Sequence, residues 1–284
     1  MTITTFKNIC GSASVILATA GMLGCNSGST SNEKSVGYTL TDHEKHILKI
    51  TLIDELKVKA EGGKVIFPDL VNKILGDFVT TTSDELQREY ERNEVAGDRA
   101  FRKKTIFING VVKSIDRSVG ENYFISLKGG TNPFMSPKAS MADGYTAFLA
   151  DLEKENEVTL VCVGNGMLIG SAMLSNCEPL INYVSRTANN FVENLNLRDA
   201  VAEKDKYTPM ASAFAMAVTS LLPVNSTCFT AEVYDDKCVA DMMKAVGGEN
   251  KEKAAALDLA MQNSLTKIGL DKDVWKSYKK AKSS

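Results

Sequence analysis

An α+β fold, with a small five-stranded β-barrel between an N-terminal helical segment and an all-helical C-terminal region, is predicted by three observations on the 284-residue chain. Apolar residues recur at helical spacing from 41 to about 100, alternate from about 106 to 176, and return to helical spacing after Pro179. The alternating stretch divides into five short runs, and closing them into a barrel removes exposed strand edges. The composition, 44% hydrophobic and 24% charged, is globular and long enough to bury a core.

Residues 41–101 make the helical segment. Ile47, Leu48, Leu52, Leu56 and Val58 lie among Glu44, Lys45, Lys49, Asp54, Glu55 and Lys57, a helix that Thr41 or Asp42 caps and Glu61-Gly62-Gly63 stops. Pro68 opens a second helix with Leu70, Val71, Ile74, Leu75 and Phe78 on one face. Thr82 and Glu85 have the spacing of a capping box, starting a charged helix that runs to about Ala100 with Leu86, Tyr90, Asn93 and Ala96 inward.

Residues 102–180 make the barrel. Its strands are predicted at 106–115, bent at Gly110, and at 122–127, 145–149, 157–163 and 167–176. Gly164-Asn165-Gly166 reads as the hairpin turn between the last two. In 181–284, helices are predicted around 192–201 and at 210–222, 239–246, 254–268 and 274–278.

Residues 1–24 carry one charge, Lys7, and an apolar run over 15–23 broken only by Thr19 and Gly21. This is the pattern of a secretory signal peptide. Met22-Leu23-Gly24-Cys25 resembles a bacterial lipobox, in which a small residue precedes a cysteine that is lipidated on sulfur and becomes the new N-terminus. Residues 25–40 then serve as a flexible tether. No later run approaches the roughly 18 apolar residues that cross a bilayer, so the membrane is expected as a partner through a lipid on Cys25. Asn26 rather than Asp behind that cysteine points to the periplasmic face of the outer membrane in a bacterial cell envelope.

Of six cysteines, Cys10 leaves with the leader and Cys25 carries lipid, so Cys162, Cys177, Cys228 and Cys238 remain. Their spacings match no zinc pattern, and the only histidines are His43 and His46. Two disulfides between sequence neighbours are the simplest of three pairings, with four buried thiols as the alternative. An oxidising compartment is expected. No metal or cofactor is.

The run Leu86-x-x-x-Tyr90-x-x-Asn93-x-x-Ala96-x-x-x-x-Phe101-x-Lys103, followed by Ile108-Asn109-Gly110-Val111-Val112-x-x-Ile115, resembles the tRNA-anticodon-like OB-fold family of bacterial envelope proteins and lipoproteins. Val158-x-Leu160-x-Cys162 and Leu174-x-x-Cys177 resemble its last two strands. Glu157 departs from the family's frequent Gly-Asp before the fourth strand, and 136–143 makes a long loop before the third. The resemblance implies an OB-like barrel. It implies neither tRNA binding nor an enzyme activity.

Function classes are weighed by charge. Eight cations and eight anions lie between 102 and 180, so the barrel lacks the basic surplus that drives nucleic-acid affinity. Such barrels bind ligands on one sheet face and its flanking loops; here the candidate surface is Arg117, Tyr123 and Asn165. His43 and His46 beside Asp42 and Glu44 are the sole histidines available to a hydrolytic site. The expectation is a non-enzymatic, lipid-anchored envelope protein that binds another envelope component. An oligonucleotide- or glycan-binding barrel is the alternative, and an envelope hydrolase a more remote one. The sequence is silent on oligomeric state.

Overall fold

The computed structural model describes residues 37–117, 123–202, 205, 207–246 and 250–283, with side chains up to 278. The leader, Cys25 and most of the tether lie outside the described residues. The chain divides into two compact units, one of Lys49–Asn194, the other of the chain up to Leu48 with Leu195–Ser284.

The boundary falls within α1 (Asp42–Ala60). Thr41 is its cap: the Thr41 hydroxyl accepts from the Glu44 amide, and the Glu44 carboxylate accepts from the Thr41 amide at 2.7 Å. In α2 (Pro68–Leu75), Leu70, Val71 and Leu75 are buried. Phe78, expected on that helix, instead begins a strand, β1 (Phe78–Thr82). Gly76, at φ 64°, ends the helix, and Val79 with three threonines then favours extended backbone.

The charged helix expected up to Ala100 is two helices, α3 (Ser83–Arg92) and α4 (Glu94–Phe101). The Thr82–Glu85 capping box is present. Asn93, expected inward, is exposed: it closes α3 and caps α4 by accepting from the Ala96 amide at 3.1 Å. Gly97 on α4 faces the Tyr90 ring so closely that a Cβ there would collide with it. The two helices can fold together at this point only without that side chain.

The barrel strands are β2 (Thr105–Arg117), β3 (Tyr123–Leu127), β4 (Lys138–Met141), β5 (Glu157–Leu168) and β6 (Ser171–Pro179). They pair in the order β2-β3-β4-β6-β5, and β5 pairs back onto β2 to close the barrel. β4 and β6 run parallel, the other barrel pairs antiparallel, and β1 lies parallel to the start of β2 as a sixth strand. The interior holds Val112, Ile125, Leu127, Ala139, Leu160, Leu174 and Cys177, with Leu86, Tyr90 and Phe101 of α3 and α4 joining this core.

Two expectations inside the barrel are overturned. The segment 145–149 is not the third strand but carries α5 (Thr146–Ala150), with Tyr145 and Phe148 packed against the core. The third strand is β4, in what read as a long loop; Ala139 and Met141 point inward between Lys138 and Ser140. Gly164-Asn165-Gly166 is not the hairpin turn either. It is an irregularity inside β5 where the register with β6 shifts, and the chain reverses at Ile169-Gly170. A Cβ at Gly164 would strike the Phe101 carbonyl oxygen, so this glycine serves close approach rather than reversal.

After β6, α6 (Leu180–Glu193) stays with the barrel: Val184 and Ala188 are buried, and the Tyr183 ring meets Phe107 edge-on at 5.7 Å. Cys162 and Cys177 are bonded across β5 and β6.

In the other unit, α7 (Leu197–Ala202) and α8 (Tyr207–Leu221) are followed by a 3-10 turn (Thr227–Phe229), α9 (Asp236–Ala245), α10 (Lys251–Lys267) and α11 (Asp273–Ser283). α8 is buried without interruption from Thr208 to Val218, and its alternate alanines permit close packing by α10. Cys228 and Cys238 are bonded, joining the 3-10 turn to α9. One Asp241 oxygen accepts from the Ser226 hydroxyl, the Thr227 amide and the Thr227 hydroxyl, and these bonds hold its carboxyl below the usual carboxylate range.

Candidate functional site

Strand alternation sorts the face of β2, β3 and β4. Ile115, Tyr123, Ile125, Ala139 and Met141 pack against the interior. In the ladder, Phe124 stands between Asp116 on one side and Ser140 on the other. The Lys138 ammonium lies 5.3 Å over the centre of the Phe124 ring, and Asp116 accepts from the Ser114 hydroxyl at 2.6 Å. This sheet face therefore carries one half-buried aromatic ring, one ammonium over it and a hydroxyl-bonded carboxylate beside it.

Of the sequence-predicted residues, the structure brings Arg117 and Tyr123 together: they are ladder partners, and the guanidinium sits 5.9 Å over the tyrosine ring. Asn165 is elsewhere. Thr105 at the start of β2 pairs with Val163, so Asn165 lies past that end of the ladder while Arg117 closes the other. Its neighbour Gly166 faces Asp98 and Arg102 at the end of α4. Phe124 and Lys138 come together only because 138–141 is a strand and not the loop expected there; the polar–apolar alternation Lys138-Ala139-Ser140-Met141 is the signal for it in the sequence.

Cations around this face are held. Lys113 donates to the Pro133 carbonyl at 2.5 Å and the Ser136 hydroxyl at 2.7 Å, and Lys128 pairs with Glu155. The loop between β3 and β4 is fastened to α3: Ser83 donates to the Lys128 carbonyl, the Gly130 amide to Asp84, and Thr131 to Glu91. Hydrogen bonds draw the Asp84 and Glu91 carboxyls down. For Asp84 the largest cause is Arg88; for Glu91 burial opposes the Thr131 bonds and loses. The face is thus a preformed surface. Its chemistry suits a flat ring stacked on Phe124 in place of the Lys138 ammonium.

A second polar cluster lies at the end of β6. Glu178 accepts from the Tyr145 hydroxyl at 2.8 Å and pairs with Arg186, whose guanidinium stands 5.6 Å over Tyr183. Burial first, then the bond to Glu178, raises the Tyr145 hydroxyl above its ordinary range. These bonds join α5 and α6 to the barrel.

His43 and His46, the histidines singled out for acid–base work, are both engaged in the helical unit. His43 stacks on Phe229 with ring centres 4.2 Å apart, and the His46 Nε2 is 2.8 Å from the Ala231 carbonyl oxygen. Among the described residues no group of three or more His, Cys, Asp and Glu is placed to hold a metal ion. Nor is any described helix long and apolar enough to cross a membrane.

A closed five-stranded barrel with this strand order and a helix between its third and fourth strands is an OB-fold barrel. The chain matches the family described as tRNA_anti-like over residues 29–178, more than half its length, and belongs to that family. No curated protein and no solved structure matches it.

Proposed function

We propose that this protein is a lipid-anchored component of a bacterial cell envelope, with Cys25 as the lipidated residue, whose barrel is a non-catalytic binding module for another envelope protein. The observation that carries the proposal is the conjunction of Met22-Leu23-Gly24-Cys25 with two disulfides in the folded chain, Cys162–Cys177 and Cys228–Cys238. Both belong to a secreted protein. The positions of His43 and His46 support a non-catalytic role, since stacking on Phe229 and bonding to the Ala231 carbonyl give them structural work. Asn26 supports placement at the periplasmic face of the outer membrane.

A second reading, a glycan or oligonucleotide on the barrel face, is favoured by one observation, the Phe124 ring beneath Lys138. Stacking of a ring on an aromatic residue is worth about 1–3 kcal/mol, more than the ~0.5–1 kcal/mol of an exposed cation–π contact it would displace. The balanced barrel charge disfavours the nucleic-acid form.

The test is the intact mass of membrane-extracted protein, with and without reduction. Residues 25–284 plus a diacyl or triacyl group, less four hydrogens, is the expected result. An unprocessed, fully reduced chain overturns the reading. Cross-linking in intact cells then identifies the partner, and loss of cross-links on Phe124→Ala with Lys138→Ala assigns the surface.

A further inference from the structure

Three apolar side chains stand out in solvent at one end of the barrel: Phe134 is 88% exposed, Ile169 84% and Leu168 60%. They come from the loop between β3 and β4 and from the end of β5 with its reversal into β6, which touch. Met135, next to Phe134, lies with its thioether against Gly170, and β4 and β6, which leave these loops, run parallel and paired at Lys138 and Met173.

Ile169 is anomalous twice. With Gly170 it forms the reversal between β5 and β6, and both residues have positive φ, 48° and 76°. Asn, Asp and Gly fill such a position easily, whereas a β-branched residue is strained there. Burial does not compensate, because the side chain is almost wholly in solvent. Neither backbone nor core favours isoleucine at 169, so what the position supplies is an outward apolar side chain.

We infer that the Phe134, Leu168 and Ile169 tip is a membrane-contact element that dips into the acyl region of the bilayer to which Cys25 ties the chain. The inference rests on the anchored reading above. Shape and size favour a bilayer over a protein partner. The residues sit on convex turn tips, and three side chains fall well short of the roughly 800 Å² per partner of a stable protein interface. A bilayer accepts isolated apolar tips with no complementary pocket. Charge agrees: the Lys113 ammonium donates to the carbonyl of Pro133, the residue before Phe134, and to the Ser136 hydroxyl, both neutral oxygens, so a cation accompanies the loop that carries Phe134.

The experiment uses the full chain extracted from membranes, reconstituted in phosphatidylcholine–phosphatidylglycerol vesicles and carrying Phe134→Trp or Ile169→Trp. Emission added to that of the buried Trp275 is read against acyl-chain-brominated lipid. The expected result is at least twofold quenching at both positions, reduced by half or more when Ile169→Asn is combined with Phe134→Trp. Unquenched emission from a chain that sediments with the vesicles overturns the inference, and cross-linking of the same two positions to an envelope protein reassigns the tip to a protein partner. The anchor is scored separately by mass. A chain with unmodified Cys25 that is still quenched by added vesicles retains the tip and discards the anchor, and one that is not quenched overturns the tip.

Discussion

The side chain of Gln87, fully buried on α3, clasps the β5–β6 hairpin at its reversal and the start of β6: it accepts from the Ala172 amide at 2.9 Å and donates to the Gly170 carbonyl at 2.7 Å. The hairpin that carries Leu168 and Ile169 is thereby fastened to a helix, which fixes where its tip points.

Gln87→Leu keeps the volume and removes these two bonds, together with a weaker one from Gln87 to the Glu91 carboxylate at 3.3 Å, leaving the buried Ala172 amide and the Gly170 carbonyl without their Gln87 partner. A loss of about 2 kcal/mol is expected from two such groups. Denaturant unfolding measures it, and amide exchange at Ala172 rises. A loss under a quarter of that figure contradicts the assigned role.

Ile169→Asn has the opposite sign. Relief of left-handed strain at a β-branched residue is expected to add about 1 kcal/mol, and a thermal melt moves up by roughly 2–4 °C for a unit of this size. A lower melting point shows that Ile169 contributes to packing instead.

Replacing Cys228 and Cys238 together by Ala opens a loop closed over a separation of 10 residues. By the chain-entropy argument the cost is about 2–3 kcal/mol. The three bonds that Asp241 accepts from Ser226 and Thr227 remain, so folding is expected to survive. Loss of the near-ultraviolet circular dichroism of the native chain at room temperature argues for a larger role.

Alkaline pH probes Tyr38 and Tyr90. Burial, then the Glu44 carboxylate, pushes Tyr38 up to about 12; burial, then Asp98, pushes Tyr90 up to about 12. The folded state holds these protons more tightly than the unfolded chain, whose tyrosines titrate at about 10. Their contribution is complete below pH 10 and disappears as pH rises from there through 12. Absorbance at 295 nm is expected to show at least two tyrosines still neutral at pH 11, and stability to fall above pH 10. Uniform titration near pH 10 without unfolding refutes this.

Much of the architecture was legible because local chemistry and tertiary packing agree. Thr82 and Glu85 announce α3 by bonding within their own turn, and the alternation from Ile106 to Ile115 needs only an inside and an outside. The candidate surface was half legible. Arg117 and Tyr123 are antiparallel ladder partners six positions apart in the chain, so their pairing is local, whereas placing Asn165 required knowing that β5 runs through Gly164-Asn165-Gly166.

By itself the sequence determined the α+β order of elements, the interior pattern of β2, β5 and β6, and the lipobox-like context of Cys25, because each is written in contiguous residues. Tertiary structure alone decided that 138–141 pairs as a strand between β3 and β6, that 145–149 coils into a helix, and that α6 belongs with the barrel. Each of these choices satisfies partners far away in the chain: β4 finds β6 at Met173 and Leu174, and α6 sets Tyr183 on Phe107. The same holds for the solvent-facing tip, since Phe134 and Ile169, far apart in sequence, become neighbours only when the parallel pairing of β4 and β6 brings Met135 to Gly170.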